Sequence, residues 1–291
     1  MRKALARTRF CASGAAAVLA VSSVIALSGC GVPAQRPAAS SVQAAAASGQ
    51  PGAAAADPGG TAPGTRVLNP ANGRLEAVVP DISRSVLLIG DSQSEPADGW
   101  PRQGLAAAGY KVYFGGRGGT GFVAANGKTG NYIDALRRGD WLIPAGTPAL
   151  IVLQGGGNDA ASGASDRQIA GNAGRLIAEL QARYPGTRIA MIGTLAKGGN
   201  NGGGRRTEVD ALLGSVAAAH GLPFVSVGDW LTRYNLAKDL ADTVHMNSNG
   251  RRTLGALLER RVRELGLEER PTSEPAPALA AGTVSSRPAQ D

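Results

Sequence analysis

The segment VLLIGDS, residues 86–92, combines a strand pattern with a reactive side chain at its end. Its first four residues are apolar and branched, which is typical of a strand buried on both faces of a parallel sheet. Gly90 ends this run, and Asp91 and Ser92 follow directly. Because ligands bind at the carboxyl edge of open α/β sheets, we expect the Ser92 hydroxyl to lie at that edge and to act as a nucleophile.

Four further apolar runs follow, and amphipathic segments separate them. The predicted strands cover residues 86–89, 111–114, 149–153, 188–192 and 223–227. The predicted helices cover residues 100–110, 131–138, 166–184, 207–220 and 248–265. Alternating strands and helices indicate a parallel sheet covered on both faces. With right-handed crossovers, this pattern predicts a flavodoxin-like three-layer α/β/α sandwich with about five parallel strands.

The first 29 residues have the layout of a secretory signal peptide, with a basic start, a short apolar run and small residues at the end. The apolar run is shorter than the roughly 20 residues of a membrane-spanning helix. Residues 27–30, LSGC, resemble a bacterial lipobox, in which Cys30 becomes the lipid-bearing first residue of the mature protein. The resemblance implies export and anchoring to the outer face of the cell membrane by several acyl chains, since one chain binds weakly. The alternatives are a plain secretory signal, which would release a secreted protein, and an uncleaved anchor.

The remainder of the chain divides by composition into three segments. Residues 30–80 are rich in Ala, Gly and Pro and predict a flexible tether, because they contain too few large apolar residues to offset ordering entropy. Within them, residues 67–68 and 75–79 are the places where an ordered domain could begin. Residues 81–268 form the predicted domain, and residues 269–291 form a predicted disordered tail.

Charge and cysteine usage exclude several classes of function. The formal charge is +8, but four basic residues lie in the predicted signal peptide, which leaves the mature chain at about +4. A charge this small and dispersed does not favour a nucleic-acid partner. The two cysteines, Cys11 and Cys30, precede the predicted domain, so an internal disulfide or a cysteine zinc site is excluded there. We expect no metal and no cofactor.

Polar or glycine-rich blocks follow three predicted strands, and a fourth block precedes the final helix. They are Gly90-Asp91-Ser92, Gly118-Gly119-Thr120, Gly156-Gly157-Asn158-Asp159 and Asp242-Thr243-Val244-His245. In this order, over about residues 86–265, they resemble the SGNH (GDSL-like) hydrolase family. The resemblance implies a serine esterase that forms an acyl-enzyme at Ser92 without a cofactor. Its substrate would be a small-molecule or glycan ester.

The same resemblance assigns the catalytic roles. Ser92 would attack the acyl carbonyl, His245 would accept its proton, and Asp242 would orient the imidazole and stabilise the imidazolium. These residue types suit the chemistry, because a serine hydroxyl needs an adjacent base and histidine titrates near neutral pH.

An oxyanion hole is implied as well. Its donors would be the backbone N–H groups of Ser92 and Gly119 and the side-chain amide of Asn158. Because two glycines are adjacent, Gly118 is an alternative to Gly119.

Each of these residues also has a structural interpretation. Ser92 and Asp242 could cap helices or turns, and Asn158 with Asp159 could be a turn pair. His245 could be a satisfied, partly buried histidine. The second histidine, His220, ends a predicted helix beside Gly221 and is interpreted as structural.

Two glycine patterns match cofactor motifs only superficially. Residues 116–121 satisfy G-x-G-x-x-G, but a poor helix start follows, so dinucleotide binding is disfavoured. Residues 127–129, GKT, lack the first glycine of a phosphate-binding loop at the required spacing. The chain also lacks Gly-x-Ser-x-Gly, which disfavours the α/β-hydrolase fold.

Two other functions are compatible with the same blocks. One is an acyltransferase that acts on envelope glycans, and the other is a non-catalytic surface-binding lipoprotein. Substrate choice would depend on three loops, at residues 93–99, 122–131 and 197–206. Phe122 and Tyr132 could line an acyl or sugar site there, or could simply pack.

Overall fold

A five-stranded parallel sheet forms the centre of the computed structural model, which describes residues 65–270. The strands are β1 (Arg66–Asn69), β2 (Arg74–Ala77), β3 (Ser85–Gly90), β4 (Lys111–Gly116), β5 (Leu150–Gln154), β6 (Arg188–Ile192) and β7 (Phe224–Val225). The helices are α1 (Trp100–Ala107), α2 (Tyr132–Arg138), α3 (Gly157–Ala161), α4 (Asp166–Arg183), α5 (Gly204–Ala219), α6 (Trp230–Arg233) and α7 (Ser248–Glu264). The sheet order is β4-β3-β5-β6-β7, which is the flavodoxin-like order. The predicted fold class is confirmed.

Helices cover both faces of this sheet, because alternate residues of each strand point to opposite sides. Leu87 and Ile89 of β3 pack in a core cluster with residues of α2, α4 and α5. Val86 and Leu88 pack in a second cluster with residues of α1, α6 and α7. All four side chains are fully buried. The continuous apolar run therefore reflects burial on both faces, as the sequence predicts.

Helices α1 and α7 pack at very short range through facing glycines. A Cβ atom added to Gly104 would lie 2.7 Å from the Leu258 Cβ atom and 2.8 Å from the carbonyl oxygen of Gly255. One added to Gly255 would lie 2.9 Å from the Gln103 Cβ atom. Only glycine permits this approach without displacing a neighbour. The contact matters for the site, because α1 follows the Ser92 loop and α7 follows the His245 segment.

The ends of the elements differ from the prediction where glycine interrupts the pattern. Helix α5 begins at Gly204 rather than at residue 207, and β4 continues to Gly116 rather than ending at residue 114. Glycine is a weak helix and strand former, so the pattern of apolar residues predicts loops at these positions. The short helix α3 was not predicted.

A hairpin of β1 and β2 corrects the predicted tether boundary at residue 80. The two strands pair in antiparallel register, and the Ala77 N–H donates to the carbonyl oxygen of Ile143 at 2.9 Å. The Glu76 carboxylate accepts from Arg183 of α4 at 2.6 Å, with only 5% and 12% of the two side chains exposed. The ordered structure therefore includes residues 65–80.

The predicted C-terminal boundary of the domain, at residue 268, also moves slightly. The Glu269 carboxylate accepts from the Arg84 Nε atom at 2.9 Å, and its backbone N–H donates to the Ala108 carbonyl oxygen at 3.0 Å. Residue 269, predicted to begin the tail, thus belongs to the domain. The predicted signal peptide, Cys30, the tether as far as residue 64 and the tail from residue 271 lie outside the described residues. Within residues 65–270, every helix is too short or too polar to cross a lipid bilayer.

The buried Glu76–Arg183 pair provides a test of the hairpin's place in the domain. We expect Arg183→Ala to lower the free energy of unfolding by about 3–5 kcal/mol, because it leaves a buried carboxylate without its cation. Urea unfolding measures this loss. Arg175→Ala, at an exposed position of the same helix, is the control and should change stability by less than about 0.5 kcal/mol. Equal stability of the two variants would contradict the assignment.

Candidate active site

The carboxyl ends of β3 and β4 meet at the edge of the sheet that carries the polar blocks. Gly90 and Gly116 are register partners, and Gly116 has a φ angle of 152°. A Cβ atom on Gly116 would lie 2.1 Å from the carbonyl oxygen of Gly90. Glycine at position 116 therefore allows the second block to turn away directly beside Ser92.

A continuous hydrogen-bonded chain joins the predicted catalytic residues. The Ser92 Oγ atom lies 2.8 Å from the His245 Nε2 atom. The His245 Nδ1 atom lies 2.7 Å from the Asp242 Oδ2 atom. With the proton on Nδ1, directed at the carboxylate, Nε2 is free to accept a proton from the serine hydroxyl. The structure thus brings together three side chains that sequence analysis selected from opposite ends of the domain.

Asp242 is fixed by its own turn as well as by the imidazole. Its Oδ1 atom accepts from the backbone N–H groups of Val244 and His245, each at 2.7 Å. The His245 backbone N–H, the Val244 backbone N–H and the His245 side chain together lower the pKa of Asp242 well below its usual range. The carboxylate is therefore ionised at any pH at which the protein would work, and it can stabilise an imidazolium.

Gln93, the residue after Ser92, ties the serine loop to the histidine segment. Its Nε2 atom donates to the carbonyl oxygen of Val244 at 2.9 Å. Its Oε1 atom accepts from the indole N–H of Trp100 at 3.0 Å. The sequence predicts only a loop at Gln93, and its one signal for this bridge is a polar residue next to the nucleophile.

The third block holds the second block in place. The Asn158 Nδ2 atom donates to the carbonyl oxygen of Thr120 at 2.8 Å, which leaves one amide hydrogen for another acceptor. Asp159 is fully buried, and its carboxylate accepts from the backbone N–H groups of residues 122, 123 and 124 at 2.7–2.9 Å. Asp159 is therefore a structural residue that orders the loop after Thr120.

Backbone hydrogen bonding distinguishes the two adjacent glycines of the second block. The Gly118 N–H donates to the Glu95 carboxylate at 2.9 Å. Across residues 65–270, the N–H groups of Gly119 and Ser92 have no hydrogen-bond acceptor. Free donors at the sheet edge are what an oxyanion hole requires, and this favours Gly119 over Gly118.

Asp91 is a fully buried carboxyl group behind the nucleophile. Its Oδ1 atom accepts from the Gln93 N–H at 2.9 Å. Burial raises the pKa of Asp91 to about 6, although hydrogen bonds from Gln93 and Gln154 and the charge of Arg206 oppose the rise. The group thus keeps a charge at neutral pH at a cost in stability.

A small cavity of about 40 Å³ lies beside the Ser92–His245 contact. Asn158 and Arg206 are in its wall, whereas Gly119 is not. Arg206 is the last residue of the loop 197–206, which the sequence predicts to influence substrate choice, but the sequence does not single out Arg206 as a site residue.

Three other predicted features lie away from this cavity. Phe122 and Tyr132 are buried in the core, with ring centroids 5.3 Å apart, so they pack and do not line a substrate site. His220 caps α5 at its C-terminal end, as its structural interpretation requires. Among residues 65–270, no three His, Cys, Asp or Glu side chains are grouped so that they could hold a metal ion.

Comparison with known proteins gives a family and a set of similar folds. Residues 88–253 match the model of the GDSL-like Lipase/Acylhydrolase family. A family two carbohydrate esterase from Cellvibrio japonicus aligns with 14% identity and a TM-score of 0.50, over 65% of this chain and 62% of its own. The carbohydrate acetylesterase Est24 from Sinorhizobium meliloti aligns with 18% identity and a TM-score of 0.47, over 62% of this chain and 99% of its own.

An aryl esterase from M. smegmatis aligns with 18% identity and a TM-score of 0.46, over 62% of this chain and 99% of its own. No match was found among curated protein sequences.

The buried Asp91 predicts an unusual pH dependence of stability. Its pKa is higher in the folded than in the unfolded protein, so folding becomes less favourable as pH rises from about 4 to about 6. A change from 3.8 to about 6 corresponds to about 3 kcal/mol. Asp91→Asn removes this titration. We expect the variant to exceed the wild type in stability by up to that amount at pH 8, with no excess near pH 4.

Urea unfolding between pH 4 and pH 8 measures this difference. Asp98→Asn, at an exposed position, is the control and should show no comparable trend. A wild type that gains stability relative to Asp91→Asn as pH rises would contradict the assignment.

Proposed function

The chain belongs to the GDSL-like lipase/acylhydrolase family, and on this basis we propose that it is an esterase that forms an acyl-enzyme at Ser92. The observation that carries the proposal is the 2.8 Å contact between the Ser92 Oγ and His245 Nε2 atoms. A serine hydroxyl becomes a useful nucleophile only when a base adjoins it. Asp242 supplies the third group, which orients that base.

In the first half of the reaction, the Ser92 Oγ atom attacks the acyl carbon while its proton moves to His245 Nε2. The imidazolium that forms is stabilised by Asp242 through the Nδ1–H group. The tetrahedral intermediate carries negative charge on the former carbonyl oxygen. Donors for this oxygen are the N–H groups of Ser92 and Gly119 and the free amide hydrogen of Asn158, each worth about 3 kcal/mol of barrier.

Collapse of the intermediate breaks the bond to the alcohol, which leaves with the proton held by His245. The acyl group is then bonded to the Ser92 Oγ atom. In the second half, water gives a proton to His245 and attacks the acyl carbon. The carboxylic acid leaves, and the proton returns to Ser92.

The shape of the site supports esters of short acids as substrates. The cavity beside Ser92 measures about 40 Å³, far less than the roughly 300–1,000 Å³ of pockets that enclose a drug-sized ligand. A site this small can enclose a short acyl group such as acetyl, whereas most of a long acyl chain would have to lie outside it. The alcohol part would extend outward past the cavity wall, which includes Arg206, and this suits a small molecule or a glycan.

We further propose that the protein works at the outer face of the cell membrane. Cys30 would carry the lipid anchor, and the chain between Cys30 and β1 would connect the anchor to the domain. This location rests on the sequence of residues 1–30 alone.

The catalytic proposal predicts a coupled loss of activity in two variants. Ser92→Ala and His245→Ala should each lower kcat for 4-nitrophenyl acetate by at least about a thousandfold. The double variant should be scarcely worse than either single one, because the two residues act as a unit. His220→Ala, which changes the other histidine, should retain wild-type activity. Wild-type turnover by Ser92→Ala would refute the proposal.

The anchoring proposal predicts where the protein is found after expression in a bacterial host that lipidates exported proteins. Cys30→Ala should move it from the membrane fraction to the medium or periplasm, because no acyl chain can then be attached. Cys11→Ala should leave it on the membrane. Fractionation followed by immunoblotting measures this distribution. Incorporation of labelled palmitate into Cys30→Ala equal to that into Cys11→Ala would contradict a lipid anchor at Cys30.

A further inference from the structure

Arg206 brings a positive charge to the wall of the catalytic cavity. It lines this cavity together with Ser92, Asn158 and His245. The family resemblance gives it no role, and the proposed reaction does not use it. Arg206 lies in the first turn of α5. Its long side chain extends from there to the wall of the cavity that Ser92 also lines.

The guanidinium group is held in one place between the loop after β6 and the third block. Its Nε atom donates to the carbonyl oxygen of Leu195 at 3.0 Å, and its Nη1 atom lies 3.4 Å from the carbonyl oxygen of Gly157. A Cβ atom on Gly157 would lie 2.7 Å from Nη1 and 2.9 Å from Nη2. The guanidinium therefore occupies space that is free because residue 157, the one before Asn158 in the chain, has no side chain.

The charge of Arg206 is not matched by a contacting carboxylate. Across residues 65–270, no acidic side chain lies within ion-pair distance of it, and its Nη2 atom has no acceptor. The adjacent Arg205, in contrast, pairs with Asp166 and Glu208. Asp91 acts on Arg206 only at longer range. Desolvation lowers the pKa of Arg206, but an arginine stays protonated in proteins.

A fixed, partly buried guanidinium with an unused N–H pair is suited to bind a planar or tetrahedral oxyanion. We propose that Arg206 binds a carboxylate or phosphate group of the substrate, so that the enzyme prefers esters that carry a negative charge near the scissile bond. This inference rests on the proposed esterase function. It differs from a role in fixing the Gly157–Asn158 turn, because that role would affect neutral and anionic esters equally.

The test compares two esters that differ in charge but hardly in shape, 3-acetoxybenzoate and 3-acetoxybenzamide, and the corresponding 4-acetoxy pair. At pH 8 the carboxylate is ionised and the amide is neutral. The readout is the ratio of kcat/KM for the anionic ester to kcat/KM for the neutral ester. We expect a ratio above one for the wild type in at least one pair.

Arg206→Gln should lower this ratio by about tenfold or more, and Arg206→Lys, which keeps the charge but loses the planar fork, should give an intermediate value. Arg175→Gln removes the same charge from an exposed position and should leave both kcat/KM values unchanged. A ratio that Arg206→Gln does not change would overturn the proposal and leave Arg206 with a role in the turn.

A second measurement uses the wild type alone and does not depend on the folding of a variant. Salt screens attraction between charges, so the ratio should fall between 20 mM and 500 mM sodium chloride. A ratio at or below one in both pairs at 20 mM sodium chloride would overturn the proposal. If the neutral esters are hydrolysed no faster by wild type than by Ser92→Ala, the esterase function itself fails, and this inference falls with it.

Discussion

The close contact of α1 with α7 is the constraint on which the site depends. Ser92 and His245 are 153 residues apart in the chain. The Ser92 loop directly follows a strand of the sheet, whereas the His245 segment lies between a short 3-10 turn and α7. The glycines at positions 104 and 255 let the two helices meet at a distance that side chains would prevent. The Gln93–Val244 hydrogen bond then joins the two loops directly. Helix packing thus determines the distance between hydroxyl and imidazole.

Burial of polar groups at the sheet edge is the cost of this arrangement. Hydrogen bonds from three backbone N–H groups compensate for the burial of the Asp159 carboxylate. The same bonds order the loop after the second block. Asp91 is less well compensated, as its raised pKa shows. Arg206 adds a partly buried cation that contacts no carboxylate within residues 65–270. Uncompensated groups of this kind are concentrated at functional sites, because stability alone would remove them.

The sequence was sufficient to predict the sheet and the meeting of the four blocks. Runs such as residues 86–89 are apolar throughout because both faces are covered, and parallel strands direct their following loops to one edge. The order of the strands then followed from general rules of α/β folds. These features depend on patterns that are local in the chain.

The features that the sequence does not reveal, or leaves open between alternatives, depend on contacts between distant residues. The hairpin of β1 and β2 lies in an Ala- and Gly-rich context, and its attachment comes from the buried Glu76–Arg183 pair. Phe122 and Tyr132 could not be assigned to site or core without their packing partners. The position of the Arg206 guanidinium depends on the space that is free because Gly157 has no side chain. The choice between the Gly118 and Gly119 N–H groups as oxyanion-hole donors depends on Glu95, which accepts from Gly118. None of these contacts produces a periodic pattern in the amino-acid sequence.

Covalent labelling with a fluorophosphonate probe tests the nucleophile most directly, because the probe reacts with a serine only when a base activates it. Intact-mass measurement followed by peptide mapping should find one adduct per chain, on the Ser92 hydroxyl, and His245→Ala should slow its formation. An unlabelled wild-type protein, or an adduct confined to another serine, would contradict an activated hydroxyl at this sheet edge and would favour a non-catalytic surface protein.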